Sequence, residues 1–179
     1  PPGGKHITIR SETGDPDCVT IDAEGASRII LSNDAPFTVE GITFTGASYE
    51  AVAIDGQPAH FVNCVFEDNG GGGEGGAIHA DTGGTVVASD CVFRNCSGVR
   101  GGAIGIIQAY GSFTDCVFTQ CAAADSGGAV WATDLWPRGP INLTNCTFTR
   151  NSCSSGGSAV RVYGITADIA NCIFAFSTE

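Results

Sequence analysis

NCVFEDNGGGGEGGAIHA, residues 63–80, holds two short apolar runs separated by a polar, glycine-rich turn, and the chain repeats this unit with variations. The first half recurs as VEGITFTGA, FVNCVFEDN, ASDCVFRNC, FTDCVFTQC, LTNCTFTRN and IANCIFAFS. Ile42, Cys64, Cys91, Cys116, Cys146 and Cys172 share one position, with Phe44, Phe66, Phe93, Phe118, Phe148 and Phe174 two residues later. Successive copies lie 22, 27, 25, 30 and 26 residues apart. The second half follows suit: Val52, Ile78, Ile104, Val130 and Val160 are spaced by 26, 26, 26 and 30. Self-similarity at a period of this size marks a solenoid, in which no single unit buries its apolar face alone.

The apolar positions alternate within runs of four to six residues, which is strand rather than helix periodicity. A third short run precedes each cysteine (AHFV, TVVA, GSFT, INLT, ADIA). Each period therefore reads as three strands and three turns, one coil of a right-handed parallel β-helix in an all-β protein. The chain has room for about seven such coils, and parallel stacking at roughly 4.8 Å per rung makes a rod of about 30–35 Å. The expected organisation is a single β-helix segment over residues 1–179. Residues 1–36 form an irregular opening coil with a longer turn at residues 12–17, and residues 37–179 form the regular coils. The insertion DLWPRGP at 134–140 lengthens one interval, as loops on the working face of a solenoid often do.

Hydrophobic residues make up 42% of the 179 and charged residues only 15%, which suits buried strands joined by small polar turns. The net charge of −11 leaves no basic surface for phosphate, so no nucleic-acid partner is expected. No run of 18 apolar residues occurs, so this segment carries no expected membrane helix. Neither end shows a cap for the open core, and the chain is expected to be a piece of a longer protein.

The pattern GGAI, GGAI, GGAV alternating with FEDN, FRNC, FTQC and FTRN resembles the repeats of polymorphic outer membrane proteins. These are surface adhesins of the pectin-lyase-like superfamily whose passenger regions are right-handed β-helices marked by GGA(I/L/V) and FxxN. The resemblance spans roughly residues 37–179. FEDN and FTRN match fully, FRNC and FTQC place Cys96 and Cys121 at the asparagine, and GGSAV departs by an insertion. It implies an adhesive, extracellular or cell-surface role.

Stacking sets equivalent residues in columns. The Phe column and the Cys column share the inner face. Between them Thr43, Val65, Val92, Val117, Thr147 and Ile173 point outward as an apolar stripe, which calls either for a covering element or for nothing beyond β-propensity. In the GGAI strand the outward neighbours vary: Ala53, His79, Gly105, Trp131 and Arg161. His79, Trp131 and Arg161, with Tyr163 and with Trp136 and Arg138 of the insertion, are candidates for a carbohydrate-binding groove, against the plainer reading of ordinary surface residues. Asp55 and Asp81, one interval apart and close to His79, are weak catalytic candidates; solvated turn acids explain them equally well.

Other motifs carry less. ADSGG at 124–128 lies in the repeat's own turn and lacks a histidine partner motif. The Gly71, Gly73, Gly76 pattern has no surrounding βαβ unit. Two C-x₄-C pairs point one cysteine each into the core, so no metal or cofactor is expected. Flat threonine rows at Thr43/Thr45 and Thr147/Thr149, as in ice-binding faces, are interrupted by Glu67 and Arg94. The five cysteines of the inner column are expected to stay largely reduced, since rung spacing exceeds the roughly 3.8 Å between β-carbons that a bridge prefers. Cys96 and Cys121, at a turn, are the best disulfide candidates, with Cys153 as a competing partner. Asn95, Asn142 and Asn145 stand in N-x-S/T sequons and are glycosylation candidates in a secreted eukaryotic protein. The leading expectation is a non-catalytic structural or adhesive segment of a larger surface or matrix protein. Its partners would be other chains, segments of the same parent at its faces or ends, or glycans; the alternative is a β-helix that binds or cleaves polysaccharide.

Overall fold

The computed structural model describes residues 5–33, 35–134 and 140–178. Every complete coil contributes a strand to each of three parallel sheets, as the triple alternation requires. The first sheet stacks Ile7–Arg10, Phe37–Glu40, Pro58–Val62, Thr85–Ser89, Tyr110–Thr114, Ile141–Thr144 and Ala167–Ala170. The second stacks Thr20–Asp22, Thr43–Thr45, Val65–Glu67, Val92–Arg94, Val117–Thr119, Thr147–Thr149 and Ile173–Ala175. The third stacks Ile30–Ser32, Val52–Asp55, Ile78–Asp81, Ile104–Ile107, Val130–Thr133 and Val160–Tyr163. Two sheets of seven strands and one of six give six complete coils and a partial seventh. The opening coil lacks the repeat signatures, yet its three strands enter all three sheets. A small fourth sheet of Ser97–Gly98, Ala122–Ala123 and Ser152–Cys153 lies in the turn between the second and third.

Two corners of each coil are made by a residue in the left-handed region. Asn63, Asp90, Asp115, Asn145 and Asn171, each just before the ladder cysteine, have φ between 49° and 56°. Asn and Asp tolerate this conformation best after glycine, and Gly41 holds the equivalent place in the coil where Ile42 replaces cysteine. Asp68, Asn95, Gln120 and Arg150 repeat the device after the Phe strand.

The core is a ladder. Rings 44, 66, 93, 118, 148 and 174 stack nearly parallel with centroids 4.7–5.0 Å apart. Phe61 and Phe113 meet them edge-on. Rung spacing thus coincides with offset stacking, which adds to the burial of each ring.

The cysteines beside this ladder are polar links as well as small hydrophobes. Cys91 Sγ donates to Ser89 O at 3.2 Å and accepts from the backbone N–H of Cys64, one coil earlier, at 3.4 Å. Cys116 and Cys146 likewise donate to Thr114 O and Thr144 O. Contacts between neighbours in the column hold the Cys116 thiol below its ordinary value and push those of Cys91 and Cys146 above it.

The second column explains FxxN. Asn69 Nδ2 donates to Phe44 O at 2.8 Å and its Oδ1 accepts from Ala47 N at 3.1 Å. Asn151 does the same to Phe118 O and Cys121 N. Cys96 and Cys121, between them in the column, send their thiols to the matching carbonyls of Phe66 and Phe93. The expected disulfide is therefore corrected: Cys96, Cys121 and Cys153 are all free thiols, as are the other six cysteines. Cys96 and Cys121 already serve as the inter-coil links that asparagine makes elsewhere. Cys153 belongs to a different column, paired with Ala123.

The outer stripe of the second sheet has a partial cover. Thr43 and Val65, 5% and 9% exposed, lie where the turn of the opening coil folds back: Thr43 Oγ1 donates to Pro16 O at 2.9 Å and Asn63 Nδ2 to Gly14 O at 2.8 Å. Val92, Val117 and Thr147 beyond it are half-buried. GGSAV also resolves. Ser158 aligns with Gly128, and Gly156 is the extra residue. A β-carbon at Gly128 would stand 2.0 Å from Ser158 O of the next coil, whereas no described coil lies beyond Ser158 at that position.

Candidate functional site

Charged and aromatic side chains gather on the outer face of the third sheet. Its outward column runs Leu31, Ala53, His79, Gly105, Trp131, Arg161, one residue per rung. A second outward column, two residues on, begins with Asp55 and Asp81 in register and continues through Ile107, Thr133 and Tyr163. The turns entering these strands add Arg28, Glu50, Glu74, Arg100 and Asp125.

The face is divided in two. The glycine-rich loop at residues 70–76 crosses it, with the backbone of Glu74 over Gly105: a β-carbon there would stand 2.7 Å from Glu74 C and O. On one side of this crossing lies a recess of about 260 Å³ lined by Arg28, Glu50, Ala53, Asp55, His79 and Asp81 among others. On the other side a recess of about 220 Å³ is lined by Arg100, Asp125, Ser126, Trp131, Arg161 and Tyr163. The single groove expected from the sequence is thus two half-sites.

In the first recess Glu50 is fully buried, and its Oε1 accepts from Arg28 Nε at 2.5 Å. Its Oε2 has no hydrogen-bond partner. The loop packs so tightly here that a β-carbon on Gly73 would stand 2.3 Å from that oxygen. His79 is half-buried, and its Nε2 is likewise buried without a partner. Asp81 Oδ1 accepts from Thr82 N at 2.6 Å, and Asp55 is exposed at the rim. Three carboxylates thus face one guanidinium, which is already committed to Glu50.

The second recess is more fully paired. Arg100 lies over the Trp131 ring at 4.8 Å, 3.4 Å from Glu74 and 3.9 Å from Asp125. Although near Arg100, Glu74 Oε2 has no partner in hydrogen-bonding geometry. Trp131 is only 6% exposed, so the guanidinium occupies the stacking position that a sugar ring would need. Arg161 and Tyr163 are exposed beside it. Trp136 and Arg138 lie outside the described residues.

Sequence reasoning points to His79, Asp55, Asp81, Trp131 and Arg161 but passes over Glu50 and Arg28. Glu50 stands just before the Ala-Val-Ala-Ile strand and its apolar neighbours hide it, while its partner is 22 residues away. A carboxylate placed one interval before Gly76 is the signal that could have found it. Among the described residues no group of three or more His, Cys, Asp or Glu side chains could hold a metal ion. Of the sequon residues, Asn95 and Asn145 are exposed and Asn142 is half-buried. Two larger recesses, of about 550 and 400 Å³, are the open ends of the core, lined by such residues as Val160, Val162 and Phe174 at one end and Ile7, Ile9 and Phe37 at the other.

No curated protein and no solved structure matches the chain. The three-sheet coil agrees with the pectin-lyase-like architecture that the repeats imply. A family model described as a right handed beta helix region matches residues 18–174, and the chain belongs to that family.

Proposed function

We propose that this chain is a non-catalytic, extracellular β-helix segment of a larger surface or matrix protein, adhesive through glycan held on the outer face of its third sheet. The observation that carries the reading is the contrast between sheets. The outward positions of the second sheet are mostly Thr and Val, whereas the third sheet's outer face collects Arg28, Glu50, His79, Arg100, Trp131, Arg161 and Tyr163 around two recesses. Concave sites with a few convergent polar groups are where ligands bind. The stacked Phe and Cys columns supply a rigid support with no part in recognition. Extracellular placement rests on the resemblance to surface-adhesin repeats and on the acidic composition, and not on disulfides. The apolar side chains exposed at the two ends, Ile7 and Leu31 at one and Ile173, Phe174 and Phe176 at the other, support contact with other protein segments there.

A second reading, cleavage of polysaccharide, is favoured by one feature: Asp55 and Asp81 are paired in register. One rung is about 4.8 Å, close to the roughly 5–5.5 Å between carboxyls in retaining glycosidases. A glycan array combined with a turnover assay on neutral, amino and uronic polysaccharides tests both. Binding without turnover supports the adhesive reading. Turnover that is lost in Asp81→Asn replaces it with the enzymatic one, and the absence of any binding overturns both.

A further inference from the structure

We propose that the glycine-rich loop at residues 70–76 is an autoinhibitory strap over one longer glycan groove, an inference that rests on the glycan-binding reading of this face. Closed, the strap divides the outer face of the third sheet and, through Glu74, keeps Arg100 on Trp131. Open, it joins the two recesses and frees the ring for a sugar. The strap is fastened at its ends and barely along its length. Gly71 N donates to Ser97 O at 2.9 Å and Gly76 N to Gly102 O at 3.1 Å. Between them, among the described residues, the backbone of residues 72–75 makes one hydrogen bond, accepted by Gly73 O from Val99 N at 2.7 Å. Gly70 and Gly71, at φ 108° and 136°, form a hinge that only glycine can make. Segments held by so few backbone bonds are the ones that open locally.

What lies at the crossing favours opening. Glu50 Oε2, against Gly73, and Glu74 Oε2, on the strap itself, are buried without hydrogen-bond partners. Closure withholds water from both carboxylates, and lifting the strap restores it. A third such atom, His79 Nε2, stands one rung from Gly105.

The latch is Arg100. Its Nε lies 3.4 Å from Glu74 and 3.9 Å from Asp125, and its guanidinium 4.8 Å from the centre of the Trp131 ring. Once Glu74 lifts away, only the longer ion pair with the exposed Asp125 keeps Arg100 in place, and such surface pairs hold weakly. A sugar ring then competes with the guanidinium for the face of Trp131. The recesses joined by opening run from His79 to Arg161, three rungs or about 14 Å. The groove thus takes a chain of several sugars, whereas each closed recess, of about 260 or 220 Å³, takes a short end.

The test is acrylamide quenching of Trp131 emission in a Trp136→Phe background, with titration calorimetry of the intact protein against hexamers and dimers of glucose, glucosamine and galacturonate. Glu74→Ala removes the latch at a partly exposed side chain and leaves the core intact. It is expected to steepen quenching, to shift the emission to the red and to strengthen hexamer binding about tenfold, since apparent affinity scales with the open fraction. Dimers, which do not span both recesses, are expected to gain less. Glu67→Ala removes the same charge from an ion pair with Arg94 on the second sheet and is expected to change none of these. Unchanged quenching in Glu74→Ala, a hexamer that binds it no more tightly than the parent, or a dimer that gains as much as the hexamer overturns this inference while leaving the glycan reading standing. Absence of binding by every hexamer to both parent and Glu74→Ala overturns the glycan reading instead, and the strap then stands or falls by the quenching alone.

Discussion

Glu74 lies across Gly105 so closely that a β-carbon on Gly105 would stand 2.7 Å from the Glu74 carbonyl carbon and oxygen. This contact sets the glycine-rich loop over the third sheet, carries the Glu74 carboxylate towards Arg100 and divides the outer face into two recesses. Every other outward neighbour in that column has a side chain. Gly105→Ala is therefore expected to lift the loop and to cost about 1–3 kcal/mol by overpacking. Denaturant unfolding should show the lower midpoint, and Trp131 fluorescence should shift as Arg100 loses its place over the ring. An unchanged midpoint and spectrum would show that the loop is not held there.

Asn69 and Asn151 each tie one coil to the one before through a donor and an acceptor at once. Replacing Asn151 with alanine leaves Cys121 N without its acceptor in the interior and takes from Phe118 O its side-chain donor, at an expected cost of about 1–3 kcal/mol. Asn151→Cys should cost less than the alanine change, because Cys96 and Cys121 already send a thiol to the equivalent carbonyl. Thermal melts of the two variants check the order; equal losses would mean that the side chain contributes volume and not hydrogen bonds.

What the sequence discloses and what it hides follow from the range of the interactions. Cys-x-Phe and Gly-Gly-Ala-Ile recur because every rung faces the same packing demand, so the sheets and the inward columns are legible from the repeat. The left-handed corners are present in the letters as Asn or Asp before each cysteine, but their meaning is conformational and shows only in φ. The spacing of Cys96 and Cys121 misleads because it places two thiols together without saying which carbonyls they already serve. Glu50 escapes notice because its burial depends on Arg28 and on Gly73, residues on two different coils. The division of the third sheet's outer face is also hidden, since it depends on where a loop of glycines comes to rest.

The free cysteines differ sharply in accessibility. Cys18 is exposed, Cys172 half-buried and the other seven buried. A thiol reagent applied to the native protein should label Cys18 quickly, Cys172 more slowly and the rest only on denaturation. Burial, followed by contact with Cys121, pushes the Cys96 thiol well above its ordinary value of 9.0. The folded state thus favours the protonated thiol, giving stability that is complete below about pH 9 and lost as pH rises beyond it. Cys96→Asn, which restores the FxxN link, should flatten that alkaline decline in the unfolding midpoint. A variant with the same decline as the parent would place its origin in other groups.

Phe93 is stacked on both sides, against Phe66 at 5.0 Å and Phe118 at 4.8 Å, and is completely buried. Phe174 has one stacking neighbour, Phe148 at 4.8 Å, and is 47% exposed. Removing a ring from the middle of the ladder leaves a void closed above and below by rings that cannot collapse into it, because their rungs are pinned by strand hydrogen bonds. Phe93→Ala should therefore fall at about 3–5 kcal/mol, the range for a fully buried phenylalanine. Phe174→Ala opens onto solvent rather than onto a sealed cavity and should cost well under half as much. Unfolding curves for the two variants decide the matter. Comparable losses would mean that stability is not concentrated in the central ladder and that the end coils are as firmly held as the middle.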